Sequence, residues 1–156
     1  MESEIDSQGR DPFGADWFRD RAAQALHPVP SDHVFDPRTG LSFGPSDFDL
    51  NPELAADLGV MEPPRPAAVL VPIVRRDPLT VLLTVRTEHL PSHAGQIAFP
   101  GGKMDAEDLT PIDTAIREAE EEIGLARSLI EPLGYLDSYR TGTGFRIMPG
   151  VAFVDP

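Results

Sequence analysis

A chain of 156 residues has room for one hydrophobic core and one domain, and its 40% apolar and 25% charged residues are ordinary for a globular fold. Its 26 acidic residues against 13 basic ones give a formal net charge of −13, which excludes binding by unspecific attraction to nucleic acid or anionic lipid. The absence of cysteine excludes a disulfide scaffold, a thiolate zinc site and a cysteine nucleophile. No apolar run reaches membrane-spanning length, and MESEIDSQGRDPFG lacks the layout of a signal peptide. The expectation is a soluble, cytoplasmic protein.

Residues 1–64 read as a helix followed by a Pro-rich arm packed on the domain that begins at residue 65. The first sixty residues hold 12 acidic and 4 basic side chains. Ala15 to Leu26 is expected to be helical, with Asp16 near its start and Trp17, Phe18, Ala22 and Leu26 on one face. The following stretch is broken by Pro and Gly too often for regular elements. Val34, Phe35, Leu41, Phe43 and Phe48 are expected to anchor it as an extended belt. From Pro66 the pattern changes. Ala67–Arg75 and Thr80–Arg86, rich in β-branched residues, are expected to pair as a hairpin, with Pro72 marking an edge or a bulge. A polar loop, TEHLPSHAGQ, leads to IAFPGGK.

Thr110 to Gly124 is the best-specified helix. Thr110 can cap it, Pro111 suits its first position, Asp113 completes a capping box and Gly124 ends it. Strands are expected at Pro132–Ser138 and Phe145–Val154, joined by the turn RTGTG. Strands, helix, strands imply an α+β fold with a mixed sheet.

The chemistry concentrates in the Thr110–Gly124 helix. Ile112, Ile116, Ala119 and Ile123 form its expected buried stripe. Glu118, Glu121 and Glu122 share an arc of about 100° away from that stripe, and Glu120 lies off it. Three neighbouring carboxylates repel one another, and a hard divalent cation such as Mg²⁺ or Mn²⁺ would neutralise them. The alternative is a solvated acidic face. Arg117, four residues before Glu121, is expected to hold that carboxylate in place.

The stretch from Gly102 to Leu125, ending REAEEEIGL, resembles the Nudix box. Its second half matches every fixed position of that pattern. In its first half Asp108 stands where Glu is usual and one extra residue separates it from Arg117; Glu107 is the other candidate for that place. The resemblance implies the Nudix fold, an α/β/α sandwich in which helices flank a mixed sheet. It also implies metal-dependent hydrolysis of a diphosphate joined to another group. Implied metal ligands are Glu118, Glu121, Glu122 and Gly102 through its carbonyl, with Arg117, Glu121 and Glu122 as the catalytic set. The general base stays open between Glu121 and an acid beyond Pro156.

Upstream, LLTVRT, Gly95 and Phe99-Pro100-Gly101-Gly102 resemble the signature of coenzyme A pyrophosphatases within that family. Thr87 replaces its Ser or Ala, and Pro91 replaces its second Arg. The resemblance implies hydrolysis of coenzyme A or its thioesters, with Arg86, His93, Gly95, Gly101 and Lys103 as substrate-binding candidates. His89 is a further polar group of the loop. The alternatives are another Nudix enzyme, for ADP-ribose or a nucleotide sugar, and a non-catalytic ligand sensor. The implied partner is a small diphosphate, with no nucleic acid or membrane, and a homodimer is left open. Members of the family continue beyond the strand that ends this sequence, so the expectation is a domain lacking its C-terminal part.

Overall fold

The computed structural model describes residues 13–31, 45–53, 63–85 and 95–156. Val34, Phe35, Leu41, Phe43, Arg86, His89, Pro91 and His93 lie outside them. Among the described residues, six strands form one mixed sheet. Its centre is the parallel pair β1 (Arg65–Val74) and β8 (Phe145–Val154), in register over ten residues from Arg65–Phe145 to Val74–Val154. On its other side β1 pairs antiparallel with β5 (Gly101–Lys103) and with β2 (Thr80–Val81). The far side of β8 takes β6 (Ile130–Tyr135) and β7 (Tyr139–Arg140). A separate pair joins β3 (Thr84–Val85) to β4 (Ile97–Ala98).

The expected hairpin is therefore only partly formed. Thr80–Arg86 is not one strand: β2 leaves β1 after Val81, and β3 pairs with β4 instead. Pro72 also differs from expectation. It lies in the central strand and is fully buried. Its carbonyl accepts from Leu82 N at 3.1 Å, so its missing N–H falls on the side where β2 ends. In β6 the register slips between Pro132 and Gly134, and the strand ends at Tyr135 rather than Ser138.

Helices cover both faces of the sheet. The principal helix, Pro111–Ile123, is capped by Thr110, whose hydroxyl accepts from Asp113 N at 3.3 Å and donates to the Asp113 carboxylate at 2.7 Å. At its other end Gly124 adopts φ 68°, ψ 21°, the left-handed turn that favours glycine. Ala115 and Ala119 pack on Ala68, Leu70 and Ala152, and the alanines let helix and sheet approach closely. Ile112 lies over Gly150 and reaches Met148 and Tyr135. Ile123, expected in the buried stripe, is 40% exposed. The chain reverses at Gly124, and Leu125 packs against the core in its stead. Ile116 is 4% exposed. Ile116→Ala is expected to cost about 2–4 kcal/mol, read as a lower midpoint in urea unfolding; no loss would place this face outside the core.

On the opposite face lies α1 (Ala15–Ala25), with Phe18 5.6 Å from Phe153 between ring centroids. The Arg19 and Arg75 guanidinium groups also lie over the Phe153 ring, at 5.1 and 5.3 Å, and both pair with Glu131. After α1, His27 exchanges two backbone hydrogen bonds with Tyr135, at 2.9 and 2.8 Å, extending the β6 edge. Among the described residues the arm contains a short helix not expected from the sequence, α2 (Asp47–Leu50). A capping box between Ser46 and Asp49 nucleates it, and Phe48 is buried as expected. Asp47 accepts from the Tyr139 hydroxyl at 2.6 Å and from Gly142 N at 2.7 Å, tying the arm to the turn before β8. We label the principal helix α3.

Candidate functional site

The site grows from the contact between α3 and β5. Gly101 and Gly102 are opposed to Val69 and Ala68 in β1. A Cβ on Gly101 would strike the Ala68 carbonyl and lie 2.7 Å from Val69 Cα, so the strand fits against β1 only as glycine. A Cβ on Gly102 would instead meet the Glu118 carboxylate, 2.6 Å from Oε2. The bare glycine backbone is what lets that carboxylate rest on the strand. One turn further along α3, a Glu122 carboxylate oxygen accepts from Gly101 N at 3.3 Å. Two of the three arc glutamates thus converge on the same two glycines.

Glu121 stands apart from them. Its side chain is 61% exposed, and Arg117 Nη1 lies 3.5 Å from its carboxylate. Among the described residues, no three acidic or histidine side chains form a ready-made cation cage. The donors are nonetheless all oxygen, from one helix arc and one glycine strand, which suits a hard divalent ion. Glu118, 19% exposed, accepts from Arg117 Nη1 at 2.9 Å.

Arg117 pairs with Glu121 as expected and has further partners: it binds Asp108 through Nε at 3.2 Å and Nη2 at 2.9 Å, and the Lys103 carbonyl at 3.1 Å. Asp108 also accepts from Thr114 Oγ1 and from Asp105 N, each at 2.9 Å, and its side chain is 7% exposed. Arg117 thus fastens the 103–108 loop to α3 and carries Glu118 with it. Of the two candidates for the first acidic place of the pattern, Asp108 makes these contacts, whereas Glu107 is exposed.

The Arg117 guanidinium holds the Asp108 carboxyl down at about 2, below its ordinary 3.8. A depressed carboxylate stabilises the fold above the unfolded value and loses that contribution as pH falls. About 2 kcal/mol of stability is therefore expected above pH ~4 and lost between pH ~4 and ~2. Asp108→Asn should remove that step from the pH dependence of urea unfolding. An unchanged profile would place the acid-labile stability elsewhere.

Of the substrate-binding candidates, Arg86 and His93 lie outside the described residues. Gly95 is exposed with φ 71° at the approach to β4, and Gly101 lies in the site. Lys103 is exposed, its ammonium 6.0 Å from the centre of the Phe145 ring.

Comparison with known proteins gives this geometry a context. The NUDIX domain pattern matches residues 64–155. The chain is 51% identical over 88 residues to an uncharacterized Nudix hydrolase, NudL, of Yersinia enterocolitica, a match that covers 56% of this chain and 45% of that protein. It is 49% identical over 90 residues to NudL of Yersinia pestis, covering 58% and 45%. The chain thus spans less than half the length of these curated relatives. Among solved structures it is similar to the Nudix hydrolase RenU of M. smegmatis, with TM-score 0.49, 23% identity and coverage of 58% and 61%. A second is the NUDIX domain of Shewanella oneidensis NrtR complexed with ADP ribose, with TM-score 0.45, 21% identity and coverage of 68% and 70%.

Proposed function

The chain belongs to the NUDIX domain family, and from that premise we propose that it is a metal-dependent pyrophosphohydrolase acting on coenzyme A or acyl-coenzyme A. The products would be adenosine 3′,5′-bisphosphate and a phosphopantetheine. The observation that carries the hydrolase reading is the convergence of Glu118 and Glu122 on the Gly101–Gly102 backbone. Glu118, Glu122 and the Gly102 carbonyl would hold Mg²⁺ or Mn²⁺, with Glu121 as a further ligand. When bound, the ion supplies charge neutralisation for the diphosphate oxygens and lowers the pKa of water.

The chain's own residues do the rest. Arg117, fixed by Asp108, keeps Glu118 aimed at the strand. Glu121 is 61% exposed and is available to take the proton of the attacking water. The water oxygen bonds to phosphorus as the bridging P–O bond breaks, and the proton passes to the carboxylate. The box chemistry lies within residues 65–156, with residues 1–64 as its packing arm, in a cytoplasmic protein.

The coenzyme A assignment rests on the LLTVRT and FPGG signature. If the adenosine 3′-phosphate is recognised, dephospho-coenzyme A should be a poorer substrate. Loss of one charge-assisted contact, about 1.5–3 kcal/mol, lowers kcat/KM roughly 10- to 150-fold. A panel of coenzyme A, dephospho-coenzyme A, ADP-ribose and nucleotide sugars with Mg²⁺, resolved by chromatography, tests this directly. Pro91 in place of the signature arginine favours a second reading, an ADP-ribose or nucleotide-sugar pyrophosphatase. Faster cleavage of ADP-ribose than of coenzyme A would establish it. No cleavage of any member would leave a ligand sensor.

A further inference from the structure

Among the described residues Arg19, Arg75, Arg117 and Arg127 each have a carboxylate partner. Arg65 and Lys103 differ. Among the described residues neither has a carboxylate within ion-pair distance, and both are exposed. They nonetheless gather on one ring, with the Arg65 guanidinium 4.1 Å and the Lys103 ammonium 6.0 Å from the centre of Phe145. Two like charges sharing one half-buried ring repel each other, and a visiting anion relieves that repulsion.

Their place in the fold puts this cluster beside the site. Lys103 is the residue after Gly102 in β5. Side chains alternate across a strand, so Lys103 points to the sheet face opposite Glu118. Phe145 and Arg65 are partners across β8 and β1 on that same face. α1 covers the other end of this face, at Ile73, Val151 and Phe153. Among the described residues β5 pairs only with β1, so its outer edge borders both the glutamates and the cations. The Arg65 guanidinium is steadied by the Thr143 carbonyl at 3.4 Å, leaving other N–H groups to donate.

We infer that Arg65, Lys103 and Phe145 form an anion site that takes a phosphate of the substrate remote from the bond being broken. A nucleoside diphosphate derivative bent round the β5 edge places its diphosphate on the α3 side and a terminal phosphomonoester on the cations. The identity of that phosphate rests on the hydrolase reading above, with the 3′-phosphate of coenzyme A as its occupant; the anion site itself does not.

The test uses the full chain and the double variant Arg65→Gln, Lys103→Gln. Adenosine 3′,5′-bisphosphate is titrated in EDTA and followed by NMR of the Phe145 ring and Lys103 side chain. The expected result is a saturable shift at both residues, with affinity at least tenfold weaker in the variant. In steady-state assays Arg65→Gln alone should lose about fivefold or more in kcat/KM for coenzyme A and less than twofold for dephospho-coenzyme A. No shift, or equal affinity in both proteins, overturns the anion site even if the enzyme hydrolyses coenzyme A. Variant-sensitive binding without hydrolysis of any diphosphate sustains the anion site and overturns the hydrolase reading instead.

Discussion

Glu122→Gln is expected to leave the fold intact and remove most hydrolytic activity, on the order of 100- to 1000-fold in kcat. The residue sits on the exposed arc of α3, so the change opens no core cavity. The amide can still accept from Gly101 N, which keeps the local hydrogen bond. What disappears is a full negative charge beside the glycine strand, and with it several kcal/mol of metal-borne charge stabilisation. The same loss relieves repulsion from Glu118 and Glu121, so the metal-free variant should melt no lower than wild type. Equal kcat at saturating Mg²⁺ would remove Glu122 from the proposed ligand set. A large drop in Tm would make its role structural.

The second large effect separates two adjacent glycines. Gly101→Ala drives a Cβ into the β1 backbone, at the Ala68 carbonyl and Val69 Cα, and neither can yield without moving the central strand. We expect a loss of about 3 kcal/mol or more, or failure to fold. Gly102→Ala meets only the tip of the flexible Glu118 side chain. That variant should fold, with Tm within a few degrees of wild type, yet lose activity as Glu118 is pushed off the strand. Circular dichroism melts beside diphosphate assays distinguish the two. If Gly102→Ala retains full activity, the Glu118–strand contact has no part in the chemistry.

Legibility of the sequence followed the range of the interactions. The α3 helix was readable because Thr110, Pro111 and Gly124 act locally, each through the backbone within a turn. β8 was readable as an apolar run following the glycine turn RTGTG. The break between β2 and β3 was not, because β3 is defined by its pairing with Ile97–Ala98, distant in sequence. Arg117 shows the same limit. Its i,i+4 neighbour Glu121 is obvious from helical spacing, but its stronger partner, Asp108, arrives through the fold of the 103–108 loop. The α2 helix did carry a signal, the Ser46–Asp49 capping spacing, obscured by the surrounding prolines.

The hydrogen bonds between His27 and Tyr135 have a bearing on how this domain would behave if excised. The matched stretch, 64–155, omits both α1 and this bridge. Cutting there bares Phe153, deprives Glu131 and Arg75 of their third partner, and leaves the backbone groups of Tyr135 without a mate. An open strand edge beside an uncovered aromatic is a template for pairing between molecules. α1 and the His27 bridge are thus expected to guard the sheet against self-association, a protection separable from whatever chemistry proceeds on the opposite face.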